Sequence, residues 1–268
     1  MTATLGFLLA VLGADPGDGL MKKMMPLYRQ DAEAYSLSLA AEPETKARLK
    51  KEPVMEWVNP ARGDTQGVIF LWTRDGLPTA VGGVFSYPDG DKDDRVILHE
   101  LHSLDTERIA VKRPPPEKWA PEGGLKRYPL PEAAPPGNTG LARRLQLRKL
   151  AREFGGYSVD LDGNRLKLTT QATPLYRYPE AEDGVIDGAL FAITSEAGTD
   201  PEVLLLIEAV KGPDGLNWRY ACGRFSDHEL HASRKGKEVF TYLRKEGTTA
   251  PEQPGDIYRV IYSKTVKP

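Results

Sequence analysis

Apolar and polar residues alternate along most of this chain, and alternation with a period of two predicts β-strands. The dipeptides Asp75-Gly76 and Asp162-Gly163 predict tight turns between neighbouring strands, since such residues tolerate a positive φ. The predicted strands are residues 34–40, 45–51, 53–58, 66–73, 78–87, 95–104, 157–161, 164–170, 174–178, 185–194, 202–210, 216–224, 238–244 and 257–264.

Two segments instead follow the helical period. The stronger pattern covers residues 141–152, where Leu147 and Leu150 share one face, and Gly155 and Gly156 are expected to end the helix. A weaker pattern precedes the first group of strands. It contains a proline at position 26, which we expect in the first turn, where its missing N–H has no helical partner to lose.

The order of these elements repeats at an offset of 121 to 122 residues. Ordered agreement of several landmarks indicates two copies of one unit, whereas similarity of a single pair would mean little. The paired landmarks are Tyr35 with Tyr157, Pro53 with Pro174, Gly67 with Gly188, Val81 with Val203, and Asp105 with Asp227. The alternative is that a β-rich chain reuses similar short patterns.

A helix followed by sequential antiparallel strands is an α+β layout, in which the helix covers one face of a curved sheet. Cystatin-like folds have this order. We therefore predict two tandem helix-plus-curved-sheet repeats, the first in residues 15–112 and the second in residues 141–268.

Residues 113–140 form a proline-rich linker between the predicted repeats. Its prolines at 114, 115, 116, 121, 129, 131, 135 and 136 exclude a central strand or a helix interior. Apolar side chains are interleaved with these prolines, at Trp119, Leu125, Tyr128 and Leu130. We expect them to hold the linker against a domain surface.

The first 14 residues have the features of a secretory signal peptide. An apolar run at 5–12 is too short to span a bilayer, and small residues at 13 and 14 follow it. The preceding residues carry no basic charge, so a buried first element is the alternative. The pattern favours an exported protein, secreted or periplasmic, without a membrane span.

Composition narrows the classes of function. The 268 residues include 36 Lys and Arg against 38 Asp and Glu, a net charge of -2, which argues against a dedicated nucleic-acid binder. The single cysteine, Cys222, excludes an internal disulfide framework and cysteine-based zinc clusters. We expect it to be a small buried side chain.

All four histidines fall in two identical tetrapeptides, His99 to His102 and His228 to His231. Zinc proteases place their histidines at i and i+4 on one helix face. Here the spacing is i and i+3, and on a strand such residues point to opposite faces. We therefore assign neither pair a metal or catalytic role.

A calcium-loop pattern is the second candidate for chemistry. Asp89, Asp91, Asp93 and Glu100 occupy ligand positions one, three, five and twelve of a loop that resembles an EF-hand. Position six holds Asp94 in place of glycine, and strands flank the loop in place of helices. An exposed acidic hairpin tip is the preferred interpretation, with a calcium site as the alternative.

The sequence also lacks several common motifs of catalytic and nucleotide-binding sites. It contains no nucleophile elbow, Walker loop or dinucleotide fingerprint, so no catalytic, cofactor-binding or metal-ligating residue is assigned. Six aromatic residues alternate on predicted strands: Trp57, Trp72, Phe85, Tyr176, Tyr178 and Trp218. Most are expected in the core, and any on the concave side of a sheet would line a pocket for a small ligand.

The paired Tyr-Ser motifs, together with segments 57–62 and 70–76, resemble those of uncharacterised exported proteins of planctomycete bacteria. That resemblance implies no activity or cofactor. The sequence favours a non-catalytic extracytoplasmic binding or interaction module whose partner is a small molecule or a protein. The alternatives are a hydrolase with its site in the concave mouth of a sheet, and a calcium-stabilised surface protein.

Overall fold

A computed structural model describes residues 16–90, 93–113, 119–179, 184–213, 215–244 and 253–268. Within them the helices are α1 (Pro16–Glu33) and α2 (Gly140–Ala151), and a 3-10 turn spans Pro60–Arg62. The strands are β1 (Ser36–Leu39), β2 (Arg48–Leu49), β3 (Met55–Asn59), β4 (Thr65–Arg74), β5 (Leu77–Pro88), β6 (Arg95–Ser103), β7 (Ile109–Lys112), β8 (Tyr128–Pro129), β9 (Phe154–Val159), β10 (Arg165–Thr170), β11 (Tyr176–Pro179), β12 (Val185–Ser195), β13 (Pro201–Gly212), β14 (Gly215–Arg224), β15 (Glu229–Arg234), β16 (Lys237–Tyr242) and β17 (Tyr258–Val266).

The strands form two large antiparallel sheets and one strand pair. The first sheet runs β17-β6-β5-β4-β2, with β3 also paired to β4. The second runs β16-β15-β9-β10-β12-β13-β14-β8, with β11 also paired to β12. Strands β1 and β7 pair with each other. The mainly antiparallel α+β class is therefore confirmed.

The central strands are buried on both faces because each sheet lies between a helix and the other sheet. In β4, Phe70 and Trp72 face α1, whereas Ile69 and Leu71 face the second sheet. Strand β13 alternates in the same way between α2 and the first sheet. The order of layers is thus helix, sheet, sheet, helix. Burial on both faces accounts for the continuous apolar run of residues 203–207.

Most predicted elements coincide with observed ones, and α2 lies within one residue of its predicted bounds. The sequence pattern missed three short or edge strands, β7, β8 and β15. The two glycines expected to end α2 lie in β9 instead. Pro26 is in the interior of α1, not in its first turn, because α1 begins ten residues earlier and its buried stripe already includes Met21 and Met24.

The strand pairing around β4 in the first half matches that around β12 in the second. Elsewhere it differs, since β1 and β7 form a separate pair whereas β9 pairs with β10 and β15 inside the second sheet. In the first half β4 pairs with β2, β3 and β5, and in the second half β12 pairs with β10, β11 and β13. The register of β4 on β5 shifts between Trp72 and Thr73, and that of β12 on β13 shifts between Ile193 and Thr194. These positions are 121 residues apart.

Each half contributes a strand to the sheet of the other half. β8, which lies in the predicted linker, pairs with β14 at the edge of the second sheet. β17, which the sequence places in the second repeat, pairs with β6 of the first sheet. Strand pairing and chain order therefore group the strands differently. The first sheet includes a strand from the predicted second repeat, and the second sheet includes a strand from the predicted linker.

The predicted linker is held against the fold where the structure describes it. Trp119, Leu125 and Leu130 are buried, whereas Tyr128 is exposed. The indole nitrogen of Trp119 donates to the carbonyl oxygen of Asp256 at 2.9 Å. The predicted signal segment 1–14 and residues 114–118 of the linker lie outside the described residues. Neither helix in the described part of the chain combines the length and apolar character that crossing a membrane requires.

Candidate functional site

A cleft of about 520 Å³ opens between the two sheets. Its volume is in the range of sites that bind small molecules. The first sheet supplies Trp57, Phe85, Tyr87, Leu98, Glu100, Tyr258 and Val260, and residues from the second half, Asp200, Pro201, Arg224, Phe225, Ser226, Asp227, Tyr242 and Arg244, face them; Arg62 and Thr65 complete the lining.

Aromatic rings form much of the wall. Trp57 and Phe85 pack with their ring centroids 5.7 Å apart. The guanidinium of Arg224 lies over two rings, 3.8 Å from the centroid of Tyr242 and 4.3 Å from that of Tyr258. Two of the six aromatic residues singled out in the sequence, Trp57 and Phe85, therefore line a pocket. Trp72, Tyr178 and Trp218 are core residues, as expected for most of the set.

The floor of the cleft carries a buried carboxyl group. Glu100 is 9% exposed and lies opposite Gly83 and Val260 in the first sheet. The hydroxyl of Tyr258 donates to its Oε1 at 2.5 Å. Burial raises the pKa of Glu100 well above its ordinary value, against the lowering effect of this hydrogen bond, and the charge of Asp227 adds to the rise.

The 3-10 turn places Arg62 across the boundary between the halves. Asn59 begins the turn, its side chain accepts from the backbone N–H of Arg62 at 3.2 Å, and Gly63 ends it in the left-handed region. The guanidinium then reaches Asp200 at 3.4 Å and Glu202 at 3.2 Å. This charge is therefore balanced by two carboxylates of the second half.

The pKa values of Asp200 and Glu202 shift in opposite directions because the two buried carboxyl groups have different partners. Burial raises the pKa of Asp200, against the attraction of Arg62. Burial would also raise the pKa of Glu202, but the hydrogen bond with His228 and the charge of Arg62 lower it. Nδ1 of His228 lies 3.3 Å from Glu202 Oε2 and 2.9 Å from Arg62 Nη2. The imidazole of His228 therefore contacts both Arg62 and Glu202, and we call these residues together with Asp200 the Arg62 network.

The first histidine pair lies on opposite faces of β6, as the spacing predicts. His99 faces α1, where its Nδ1 is 2.7 Å from the hydroxyl of Tyr35 and its Nε2 is 3.3 Å from Asp31. His102 faces the second sheet, and its Nδ1 donates to the carbonyl oxygen of Ser103 at 2.6 Å. Burial lowers the pKa of His102 to about 4, so this ring is neutral near pH 7.

The second pair is also divided. His228 belongs to the Arg62 network, whereas His231 lies on the outer surface of the second sheet. The His231 ring stacks on Tyr157 at 4.4 Å, and its nitrogens contact Glu238 at 2.8 Å and Glu229 at 3.0 Å. Within the described residues, no group of three or more histidine, cysteine or acidic side chains could hold a metal ion.

Raising the pH is expected to weaken the contribution of His231 to stability. Burial lowers the pKa of His231, but the hydrogen bonds to Glu238 and Glu229 outweigh it and raise the pKa above its ordinary value. The stabilisation is therefore complete below the unfolded-state pKa of about 6.5 and is lost as pH rises through the folded-state pKa. We expect His231→Gln to be less stable than the wild type at pH 5 by up to about 1 kcal/mol and nearly equal at pH 9. Urea unfolding at both pH values measures this, and a difference that grows with pH would contradict it.

Of the calcium-loop residues, Asp93 lies with Asp89 at the β5–β6 hairpin, but Glu100 lies away from both. Asp89 lies at the β5–β6 hairpin, where its backbone N–H donates to the carbonyl oxygen of Asp94, and Asp91 lies outside the described residues. Glu100 is five residues beyond the pair Pro88–Arg95, or about 17 Å along the strand, and faces the cleft. An ion at the hairpin tip is therefore out of reach of Glu100.

The sequence pattern did not identify the cleft residues Arg62, Asp200 and Arg224, because they meet only when the two sheets pack together. A proline-flanked turn after β3 was the only local signal for Arg62. Cys222 is buried as expected, and burial raises the pKa of its thiol to about 12.

The fold and the cleft together define an antiparallel, two-sheet sandwich with a small-molecule-sized cleft between its sheets. No family model matches the chain, and neither a curated protein nor a solved structure matches it.

Proposed function

We propose that this protein is a non-catalytic binding module that takes up a small amphipathic molecule between its two sheets. The observation that carries the proposal is the cleft itself, where aromatic walls meet a buried carboxyl group at Glu100. Apolar walls with a few placed polar groups are typical of ligand sites, since the walls provide affinity and the polar groups provide orientation.

A neutral apolar dye tests the cleft. N-phenyl-1-naphthylamine is expected to fluoresce more strongly when it binds the wild-type protein. Leu98 lines the cleft, so Leu98→Trp should fill part of it and raise the dye's Kd by about tenfold, or about 1.4 kcal/mol.

The matched control is Leu145→Trp, since Leu145 is 60% exposed on α2 and lies outside the cleft lining. This variant should bind the dye as the wild type does, and thermal unfolding should show that both variants are folded. Equal dye binding by Leu98→Trp and the wild type would remove the cleft as the site.

A hydrolase is the second candidate, and a specific observation favours it. Glu100 and Asp227 line one cleft, and a carboxyl group with a raised pKa is suited to general acid catalysis. The histidine next to the cleft, His228, is engaged by Arg62 and Glu202. Within the described residues this leaves no histidine of the cleft directed at a nucleophile, so binding without catalysis is the stronger proposal.

We further propose that the two halves descend from one duplicated unit. Beyond the shared pairing order, Trp57 lies opposite Gly67 and Tyr178 lies opposite Gly188, each ring covering its glycine. Two ion pairs also correspond at an offset of 122 residues: Asp31 with Arg113, and Glu153 with Lys235, both at 3.5 Å. The proposal includes a cystatin-like fold for each unit and the unit boundaries 15–112 and 141–268.

An extracytoplasmic location is part of the proposed function. Its support is the apolar run at residues 5–12 with small residues after it, which is typical of a signal peptide.

A further inference from the structure

Two buried glutamates face the space between the sheets, and their surroundings differ. Glu208, on β13, receives hydrogen bonds from the hydroxyl of Tyr178 at 2.9 Å, from Nε of Arg127 at 3.3 Å and from Nε of Arg219 at 2.6 Å. Burial alone would raise its pKa, but the two guanidinium groups lower it below the ordinary value. Glu208 is therefore an ionised carboxylate with cations in place.

Glu100 has the tyrosine but, among the described residues, no cation within ion-pair distance. Tyr258 donates to it as Tyr178 donates to Glu208, yet no lysine or arginine of the described chain forms an ion pair with it. A buried carboxylate without a positive partner is unstable, which agrees with the raised pKa of this group. Glu100 is at the same time one of the residues that line the cleft.

The position of Arg127 in the second half corresponds to the open cleft of the first. Phe85 lies opposite Gly67 in the strand pairing, and Glu208 lies opposite the corresponding glycine, Gly188. In the second half the linker inserts Arg127 at this place, where it also donates to the carbonyl oxygens of two neighbouring residues. The guanidinium group of Arg127 thus fills, in the second half, the space that corresponds to the cleft of the first half.

The walls of the open cleft suit a cation as well. The faces of tryptophan, tyrosine and phenylalanine rings attract ammonium and guanidinium groups. Trp57 and Phe85 line the cleft together with Glu100, whereas the guanidinium of Arg224 already lies over the ring of Tyr258. The charge of Arg62 lowers the pKa of Glu100, but burial outweighs it. Arg62 forms its ion pairs with Asp200 and Glu202, and Arg224 stacks on tyrosine rings.

From this comparison we infer that the ligand of the cleft carries an ammonium or guanidinium group on an apolar body, and that Glu100 is its counter-ion. This inference rests on the proposed function, because it names the chemical class of molecule that the same cleft binds. In the complex, the carboxylate of Glu100 pairs with the cation of the ligand.

Three probes with the same chain and different head groups test the inference: octylammonium, octan-1-ol and octanoate. By isothermal titration calorimetry at pH 6, octylammonium should bind the wild type at least about tenfold more tightly than octan-1-ol, and octanoate more weakly than either. Glu100→Gln should weaken octylammonium by about tenfold and leave octan-1-ol unchanged.

Glu56→Gln is the matched control, since Glu56 is exposed on the neighbouring β3 and should bind all probes as the wild type does. Equal binding of octylammonium and octan-1-ol, both weakened by Leu98→Trp, would overturn the cation inference and leave the cleft as the site. Tightest binding by octanoate, with the arginines of the lining as its partners, would also overturn it. Binding of every probe unaffected by Leu98→Trp would overturn the proposed function itself.

Discussion

A chain that ends at residue 256 is expected to lose cooperative folding. This truncation removes β17, which pairs with β6 from Tyr258 to Val266 and buries Tyr258 and Ile261 in the core. Two large buried side chains contribute about 1.5–3 kcal/mol each, and the strand hydrogen bonds add to this, so the loss is at least about 5 kcal/mol. A loss of that size is comparable to the total stability of an ordinary domain.

Thermal unfolding followed by circular dichroism measures this effect. Removal of only residues 267 and 268, which follow β17, should leave the Tm unchanged and serves as the control. The truncation also tests to which sheet β17 contributes its stability. Because β17 comes from the end of the chain and completes the sheet of the first half, its removal should unfold the half to which it does not belong in sequence. Retention of a cooperative transition near the wild-type Tm would contradict the exchange of strands.

Arg127→Ala is expected to lower the free energy of unfolding by about 3–5 kcal/mol, because it leaves Glu208 with an incomplete set of partners in a buried place. Both side chains are nearly inaccessible, Arg127 at 10% and Glu208 at 3% exposure. The substitution also removes the donor to two backbone carbonyl oxygens, those of Leu104 and Leu125. Arg219 remains within 2.6 Å of Glu208 and limits the loss.

Urea unfolding of two further variants separates loss of the ion pair from loss of packing. The double variant Arg127→Met with Glu208→Met should recover only part of the stability. It removes the incompletely paired buried charge, but Tyr178 and Arg219 lose their acceptor. Arg165→Ala, at an exposed guanidinium that lies 3.3 Å from the centroid of the Tyr157 ring, should change stability by no more than about 1 kcal/mol. An Arg127→Ala protein as stable as the wild type would show that the linker does not contribute to the fold through this contact.

The same arginine connects stability to the proposed binding. One space between the sheets is closed by Arg127 of the linker, and the corresponding space in the first half is open in front of Glu100. If the halves are copies of one unit, the linker has made them different by filling one space. The space in front of Glu100 would then be the one left open for the ligand, of the two that correspond.

Local sequence was sufficient for most of the secondary structure. Alternating side chains predicted strands such as β4 and β12 because each strand presents alternate residues to two different layers. The spacing of His99 and His102 predicted their opposite faces for the same reason. Local sequence was misleading where the partner is distant: β7 and β15 carry weak patterns, and each is stabilised by pairing with the strand that follows a helix, β1 or β9.

The sequence by itself determined the antiparallel α+β class, α2, most of the strands and the internal correspondence at 121 to 122 residues. Only the tertiary structure decided that β8 and β17 cross between the sheets, that Asp89 and Glu100 lie far apart, and that Glu100 faces Arg224 and Asp227 across a cleft. The physical reason is the separation along the sequence of the residues that interact. Periodicity records which face of an element is buried, whereas a site between two sheets depends on contacts between residues more than 100 positions apart, and no local pattern encodes them.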